Sequence, residues 1–359
     1  MSAAPHMANP QPALADTVVR TVTGDRPVRD FERVLVHEHV LFDIVPPDRR
    51  GGDRDAPITM GNRWQIDYRS NVDACNAHQT DRAIAMEEIA ALAGEGGDLI
   101  VDQSVAGLAR DADGLRQVAE ATGCGIVACA GTYTAPFLDE HTARMDVEAL
   151  TTRFVAEISE GLDGTDVRAG LIGEIGCSSP LEPVEKRALR AAARAQQATG
   201  AAISVHPGRD TAAPFEIVSI LEAEGADLAR CAICHMDRTF PQGTGPCQLA
   251  RTGVMVEWDF FGIETSHYWM ADRVELPTDR GRLRAIRHLF DRGLGDRVLI
   301  SQDICTRTRL LRWGGHGYGH IFRNVTTLMA SMGFDGEEIG RLVRVNPLGL
   351  LGMPQEKTA

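Results

Sequence analysis

No stretch of this 359-residue chain approaches the roughly 18–20 continuous apolar residues that a membrane helix requires, so no such helix is expected. A basic region followed by an apolar run is also missing near the N-terminus, which makes a cytoplasmic location the expectation. Basic residues are in deficit, 37 against 50 acidic ones, and the formal charge of −13 opposes non-specific attraction to nucleic acid or anionic lipid. There is no internal repeat of short period, no low-complexity tract and no domain linker. A disulfide framework is not expected either. The eight cysteines are scattered through apolar surroundings, Cys129, Cys177 and Cys305 among them, and read as buried free thiols. Cys231 and Cys234 form a C-x-x-C pair, but both lie on a predicted strand, where positions three apart face opposite sides and do not chelate one metal together.

What the chain does contain is an alternation of strand and helix. Residues 1–16, rich in Ala and Pro, read as a mobile tail, and 354–359 as a second one, around a single domain over 17–353. Thr17–Thr23 alternates as a strand, Gly24-Asp25 signals a turn, and an extended run leads to Val34, which predicts a small hairpin ahead of the main domain. Short apolar runs then recur at Val34–Asp43, Leu99–Val105, Ile126–Tyr133, Ala169–Gly176, Ala201–Pro207, Cys231–Arg238, Gly253–Gly262 and Val298–Ile304. Most are too apolar for a sheet with one wet face, as expected of strands covered on both sides. Helix-like segments lie between them, for example Arg82–Leu92, Asp113–Thr122, Pro183–Ala198 and Arg280–Arg292. Such alternation in one chain of this length predicts a closed α/β (TIM) barrel of eight strands over an open doubly wound sheet. Two connections are long, 45–80 after the first strand and 306–320 after the eighth, and both belong to the end where barrel enzymes work.

The chemistry-bearing residues cluster at strand ends. In Val34-Leu35-Val36-His37-Glu38-His39, positions i and i+2 share a face, so the two imidazoles converge while Glu38 faces away. His206 closes Ile203-Ser204-Val205-His206, His235 closes Cys231-Ala232-Ile233-Cys234-His235, and Asp303 ends the eighth run. Taken alone, either histidine reads first as a hydrogen-bonded core residue and Asp303 as a cap for the segment that follows. Glu174, in Gly173-Glu174-Ile175-Gly176, is different, because a lone carboxylate in an apolar strand is costly to bury unless it meets a cation. Together, four neutral histidines and two carboxylates at one rim suit two borderline divalent ions with a bridging carboxylate.

The ordered motifs His37-Glu38-His39, Val101-Asp102-Gln103-Ser104, Gly131-Thr132-Tyr133, Gly173-Glu174-Ile175-Gly176, Val205-His206-Pro207-Gly208, His235-Met236-Asp237-Arg238-Thr239, Gln302-Asp303-Ile304 and Gly314-Gly315-His316-Gly317-Tyr318 resemble the phosphotriesterase-like branch of the amidohydrolase superfamily, from about Val18 to Leu351. The resemblance implies that His37, His39 and Asp303 serve a more buried ion and His206 and His235 a more exposed one. Zn²⁺ is the first expectation, with Mn²⁺, Co²⁺ or Fe²⁺ in its place. Many members bridge the ions with a carbamylated lysine; this chain has Glu174 there, which looks like the glutamate-bridged, phosphotriesterase-related subgroup.

The reaction implied is hydrolysis of a carboxylic ester, lactone or N-acyl amide, with phosphotriester cleavage as a side activity. Asp303 is the expected proton carrier, and Tyr133 matches a residue that positions a substrate carbonyl in lactone-hydrolysing relatives. The strand Glu257-Trp258-Asp259-Phe260 lacks the histidine that relays the proton in some members. Arg209 and Arg238 are candidates to pair with a substrate carboxylate, sulfonate or phosphate, and His316 and Tyr318 to line the pocket. The partner is a small molecule, and a homodimer is common in this family. Isomerase or decarboxylase chemistry, and a metal-holding scaffold without turnover, are the alternatives.

Overall fold

The computed structural model describes residues 17–354 apart from 46, 48–49, 52, 70–72, 242–243, 269 and 272. The tails expected at 1–16 and 354–359 lie outside the described residues except for Pro354. Strands β1 (Thr17–Thr21) and β2 (Gly24–Pro27) pair antiparallel as the expected hairpin. After β3 (Val34–Glu38), a two-stranded ribbon of β4 (Phe42–Asp43) and β5 (His78–Gln79) interrupts the barrel. The remaining barrel strands are β6 (Leu99–Asp102), β7 (Gly125–Ala130), β8 (Leu171–Gly176), β9 (Ile203–His206), β10 (Cys231–Ile233), β11 (Met255–Trp258) and β12 (Val298–Ile300). They join β3 in one parallel eight-stranded sheet in chain order, with helices between them. β13 (Met353–Pro354) returns to pair with β1, a contact that no local sequence signal announced.

Helix starts are chemically marked. The carboxylates of Asp81, Asp111 and Asp146 accept backbone N–H groups at the heads of the helices Arg82–Gly94, Ala112–Thr122 and Val147–Ser159. Side-chain parity along the strands then divides the core. Val34, Val36, Leu99, Val101, Val127, Cys129, Leu171, Ala232, Met255 and Leu299 fill the barrel interior. Leu35, Ile100, Ile126, Ile172, Ile203, Ile233, Val256 and Val298 face the helices. Cys231 belongs to the outward set, while the Cys234 thiol meets Ser204 and Glu257 inside, so the two thiols face opposite sides as expected, although Cys234 lies just past the strand and not on it.

Strict alternation fails where it matters for function. On β8 both Ile172 and Ile175 face the helices, and the register against β9 shifts between them. The extra residue turns Glu174 toward the barrel axis. Gly173 permits this: at φ +133° a Cβ there would lie 2.2 Å from the Ser204 carbonyl oxygen. The register of β3 against β6 slips likewise between Leu35 and Glu38, so His37 follows Val34 and Val36 inward instead of Leu35 outward. Two predicted strands also end early. Val34–Asp43 stops at Glu38, and Cys231–Arg238 stops at Ile233, because His235 turns to φ +60° and Met236–Thr239 forms a helical turn.

The turn after β10 is anchored from the far side of the barrel wall. Arg282, fully buried in the helix Asp279–Phe290, pairs with Asp237 and lies 2.8 Å from Asp279. Asp237 accepts the Asp259 N–H at 3.0 Å, and Asp279 accepts the Gly262 N–H at 3.0 Å. Arg282→Met leaves both buried carboxylates short of their cation. A loss of about 3–5 kcal/mol in urea unfolding is expected, and a loss below about 1 kcal/mol contradicts this account.

Candidate metal centre and substrate cavity

Six side chains meet above the interior layer of the barrel, none more than 9% exposed: His37, His39, Glu174, His206, His235 and Asp303. Glu174 is central. Its Oε2 lies 3.1 Å from His206 Nδ1, 3.4 Å from His235 Nε2 and 3.5 Å from His37 Nε2, and its Oε1 lies 3.8 Å from His39 Nε2. Asp303 Oδ1 approaches His39 Nε2 at 3.3 Å and His37 Nε2 at 3.9 Å. Donor atoms about 2.0–2.2 Å from a tetrahedral ion stand roughly 3.3–3.6 Å from one another, and the separations of 3.3, 3.4 and 3.5 Å fall in that range. Neither ring nitrogen of His37 has a hydrogen-bond partner, although both are buried. Orphaned polar atoms of this kind are what a cation would satisfy. His37, His39 and Asp303 form one potential ligand group and His37, Glu174 and His235 another. The six residues therefore come together as expected, and the buried cluster fits a binuclear metal site.

The residues behind the cluster were less visible. Asp259 Oδ1 lies 2.8 Å from His235 Nδ1, and its Oδ2 accepts the His235 backbone N–H at 2.8 Å. This fixes the imidazole with Nε2 toward Glu174. His37 Nδ1 faces Asp259 at 3.5 Å and Glu257 at 3.6 Å, and His39 Nδ1 lies 3.0 Å from the Ser104 hydroxyl. The sequence signal for Asp259 and Glu257 was two acidic residues at alternate positions of an apolar strand, the pattern that makes Glu174 conspicuous.

Electrostatics follow from burial against charge. Burial raises the Glu174 carboxyl, but the imidazoles of His206 and His37 outweigh it and hold the group well below the ordinary carboxylate range. Burial likewise raises Asp303, and the hydrogen bond from His39 with the charges of His37 and His235 brings it below normal. Burial, with Arg238 and His206 close by, pushes His235 well below an ordinary histidine, which keeps its ring neutral. Burial against neighbouring carboxylates drives Asp259 well above the usual range.

A cavity of about 220 Å³ opens onto this cluster. Tyr133 lines it, its hydroxyl 3.4 Å from His206 Nδ1, with Ile44, Phe137, Phe260 and Met270 as apolar walls. Arg209 and Arg238 line it too. Arg238 is buried and donates to the Pro207 carbonyl at 2.8 Å, with the same nitrogen 3.1 Å from His206 Nε2. Arg209 donates to the Tyr268 hydroxyl at 3.0 Å. Among the described residues no carboxylate forms an ion pair with either guanidinium. Of the two pocket residues expected from the last loop, Tyr318 lines neither cavity and His316 lines one that shares Asp303, Phe260 and Cys305 with the first. Tyr318 is buried behind the site, where its hydroxyl donates to the His39 carbonyl at 2.7 Å, so it supports a histidine and does not face the cavity. His316 lines an adjoining cavity of about 230 Å³ under the 306–320 loop, its Nδ1 3.1 Å from the Gly317 carbonyl.

Elemental analysis of the purified protein should find about two divalent ions per chain. Glu174→Ala should lose metal and activity together. Asp259→Asn should cost about 10- to 100-fold in metal affinity or activity. Full metal content with full activity in either variant contradicts the arrangement.

The phosphotriesterase family description matches residues 17–351. The N-acetyltaurine hydrolase of Xenopus tropicalis is 38% identical over 336 residues, covering 92% of this chain and 96% of that protein. Among solved structures, a resiniferatoxin-binding protein from Rhodobacter sphaeroides superposes with a TM-score of 0.86 at 33% identity, covering 93% of this chain and 94% of the other. A phosphotriesterase homology protein from Escherichia coli, complexed with phosphate in its active site, gives a TM-score of 0.74 at 28% identity over 89% of this chain and 99% of the other. The chain belongs to the phosphotriesterase family and is a metal-dependent hydrolase.

Proposed function

We propose that this hydrolase cleaves the amide bond of a small N-acyl compound whose amine half carries an acidic group, a sulfonate or a carboxylate. The observation that carries the reading is the pair Arg209 and Arg238, two guanidinium groups without carboxylate partners among the described residues, in the cavity that the His/Glu/Asp cluster faces. One buried and one half-buried guanidinium, bonded only to neutral groups, favour an anionic ligand. The N-acetyltaurine hydrolase relatives and the phosphate held in the active site of the Escherichia coli protein support the same direction.

His37, His39, Glu174, His206, His235 and Asp303 would hold two divalent ions, Zn²⁺ suiting this donor set best. When bound, these supply Lewis acidity toward the acyl carbonyl and lower the pKa of water toward neutrality. The protein's own groups do the rest. Arg209 and Arg238 orient the acidic head, so that the amide lies across the cluster. Tyr133, with burial and the negative charges of Glu174 and Asp303 holding its phenol protonated, offers a hydrogen bond to the carbonyl. Asp303 is ionised at neutral pH; it accepts the proton of the attacking water and returns it to the departing nitrogen, giving a carboxylic acid and a free amine. β11 (Met255–Trp258) carries no histidine, so Asp303 performs the transfer without an imidazole from that strand. Ile44, Phe137 and Met270 keep bulk water from the reacting atoms.

N-acetyltaurine and N-acetylglycine should be hydrolysed by the metal-replete protein at least about tenfold faster than the neutral N-acetylethanolamine at subsaturating concentration, as one charge-assisted hydrogen bond is worth about 1.5–3 kcal/mol. Equal rates on the neutral amide, or turnover of lactones alone, overturn the reading. Arg209→Met and Arg238→Met should each raise KM for the acidic substrates roughly 10- to 150-fold and leave the neutral amide little changed. Asp303→Asn should lower kcat by about 10²- to 10⁴-fold, and an unchanged kcat removes it from the proton path.

A further inference from the structure

Glu38 stands between two of the proposed metal ligands, yet its side chain takes no part in the cluster. It is fully buried at the seam where the first and last barrel strands meet. Its Oε1 accepts the Ser301 hydroxyl at 2.8 Å, the Gln302 backbone N–H at 2.9 Å and the Gln302 side-chain amide at 3.3 Å. Its Oε2 accepts the Ile304 backbone N–H at 2.9 Å. The backbone donors lie on either side of Asp303, which turns the chain at φ +47°. A left-handed conformation at a residue other than glycine costs about 1–3 kcal/mol and persists only when its surroundings over-determine it. Asp303 N–H donates to the His37 carbonyl at 3.1 Å, and the His37 N–H donates to the Ser301 hydroxyl at 3.0 Å, so that hydroxyl links Glu38 to a second cluster residue.

We propose that Glu38 is a positioning residue for Asp303: a buried carboxylate that holds the strained turn after β12 and thereby sets where the Asp303 oxygens point. The choice of residue supports this. Among the described residues no arginine or lysine pairs with Glu38, so its burial is not explained by an ion pair. A seam closed by an ordinary backbone ladder would need no buried charge at all. Its two carboxyl oxygens are instead matched to two backbone N–H groups that the turn leaves facing β3, each costing about 1–3 kcal/mol if buried without a partner. The other site turn with positive φ, at His235, is held in the same way by Asp259.

The proposal rests on Asp303 being a metal ligand, and the test separates the two ideas. Chelator-stripped parent, Asp303→Asn and Glu38→Gln proteins are titrated with Co²⁺, whose visible absorption reports ligand geometry, and hydrogen exchange of the segment around Asp303 is followed without metal. Retention of both Co²⁺ sites with parental spectra in Asp303→Asn defeats the ligand assignment itself. If Asp303→Asn loses one site, Glu38→Gln should weaken that same site about 10- to 100-fold, leave the other within about threefold, and exchange faster around Asp303. Its kcat should fall in step while KM stays within about threefold. A Glu38→Gln protein that only melts earlier, with parental Co²⁺ affinities and kcat, makes Glu38 a seam residue and overturns the proposal. Should that variant not fold, Ser301→Ala decides by the same criteria, with a smaller loss in the same direction expected and parental Co²⁺ binding counting against it.

Discussion

The structure is organised around the burial of Glu174. A carboxylate at the axis of an apolar barrel is tolerable only if positive charge or strong donors surround it. Here its neighbours are four imidazoles from the ends of three other strands, and among the described residues no lysine or arginine pairs with it. Imidazole is a weak and conditional source of positive charge, whereas a divalent cation satisfies the carboxylate and the ring nitrogens together. The register slips on β8 and β3 serve this end, since without them Glu174 and His37 would face the helices.

A second layer of carboxylates holds the first in place. Asp259 takes the backbone and the ring of His235; Asp102 accepts the Val40 N–H at 2.7 Å and the Ser104 N–H at 2.8 Å, bracing the chain just beyond His39; Glu38 spans the turn at Asp303. In each case a strand ends abruptly so that a ligand side chain can lean inward, and the freed backbone donors are met by a buried acid instead of water. The acidic character of the barrel mouth is thus divided between groups that would bind cations and groups that shape the backbone.

The cavity adds the opposite sign. Arg209 and Arg238 bring two guanidinium groups close to a cluster that would hold divalent cations, the feature on which the proposed acidic substrate rests. A barrel fold and a metal-ligand cluster do not by themselves choose a substrate, and that choice falls to the residues lining the cavity, these two arginines with their aromatic and aliphatic neighbours among them.

The sequence by itself determined the eight-stranded barrel, because strands buried on both faces must be continuously apolar, and it determined the cluster, because His, Glu and Asp at the ends of such strands have few other places to go. It also marked Glu174 as the unusual residue through the cost of burying its charge. Only the tertiary structure decided which of the remaining candidates face the cavity. Tyr133, near the end of the third barrel strand, and Tyr318, in the loop after the eighth, look alike as tyrosines on the working side of the barrel, but one lies 3.4 Å from His206 and the other supports His39 from behind. The supporting acids were hidden for the same reason. Asp259 meets His235 across 24 residues of chain and Glu38 meets Ile304 across 266, and pairings at such separations follow from how the barrel closes, which no local pattern of residues encodes.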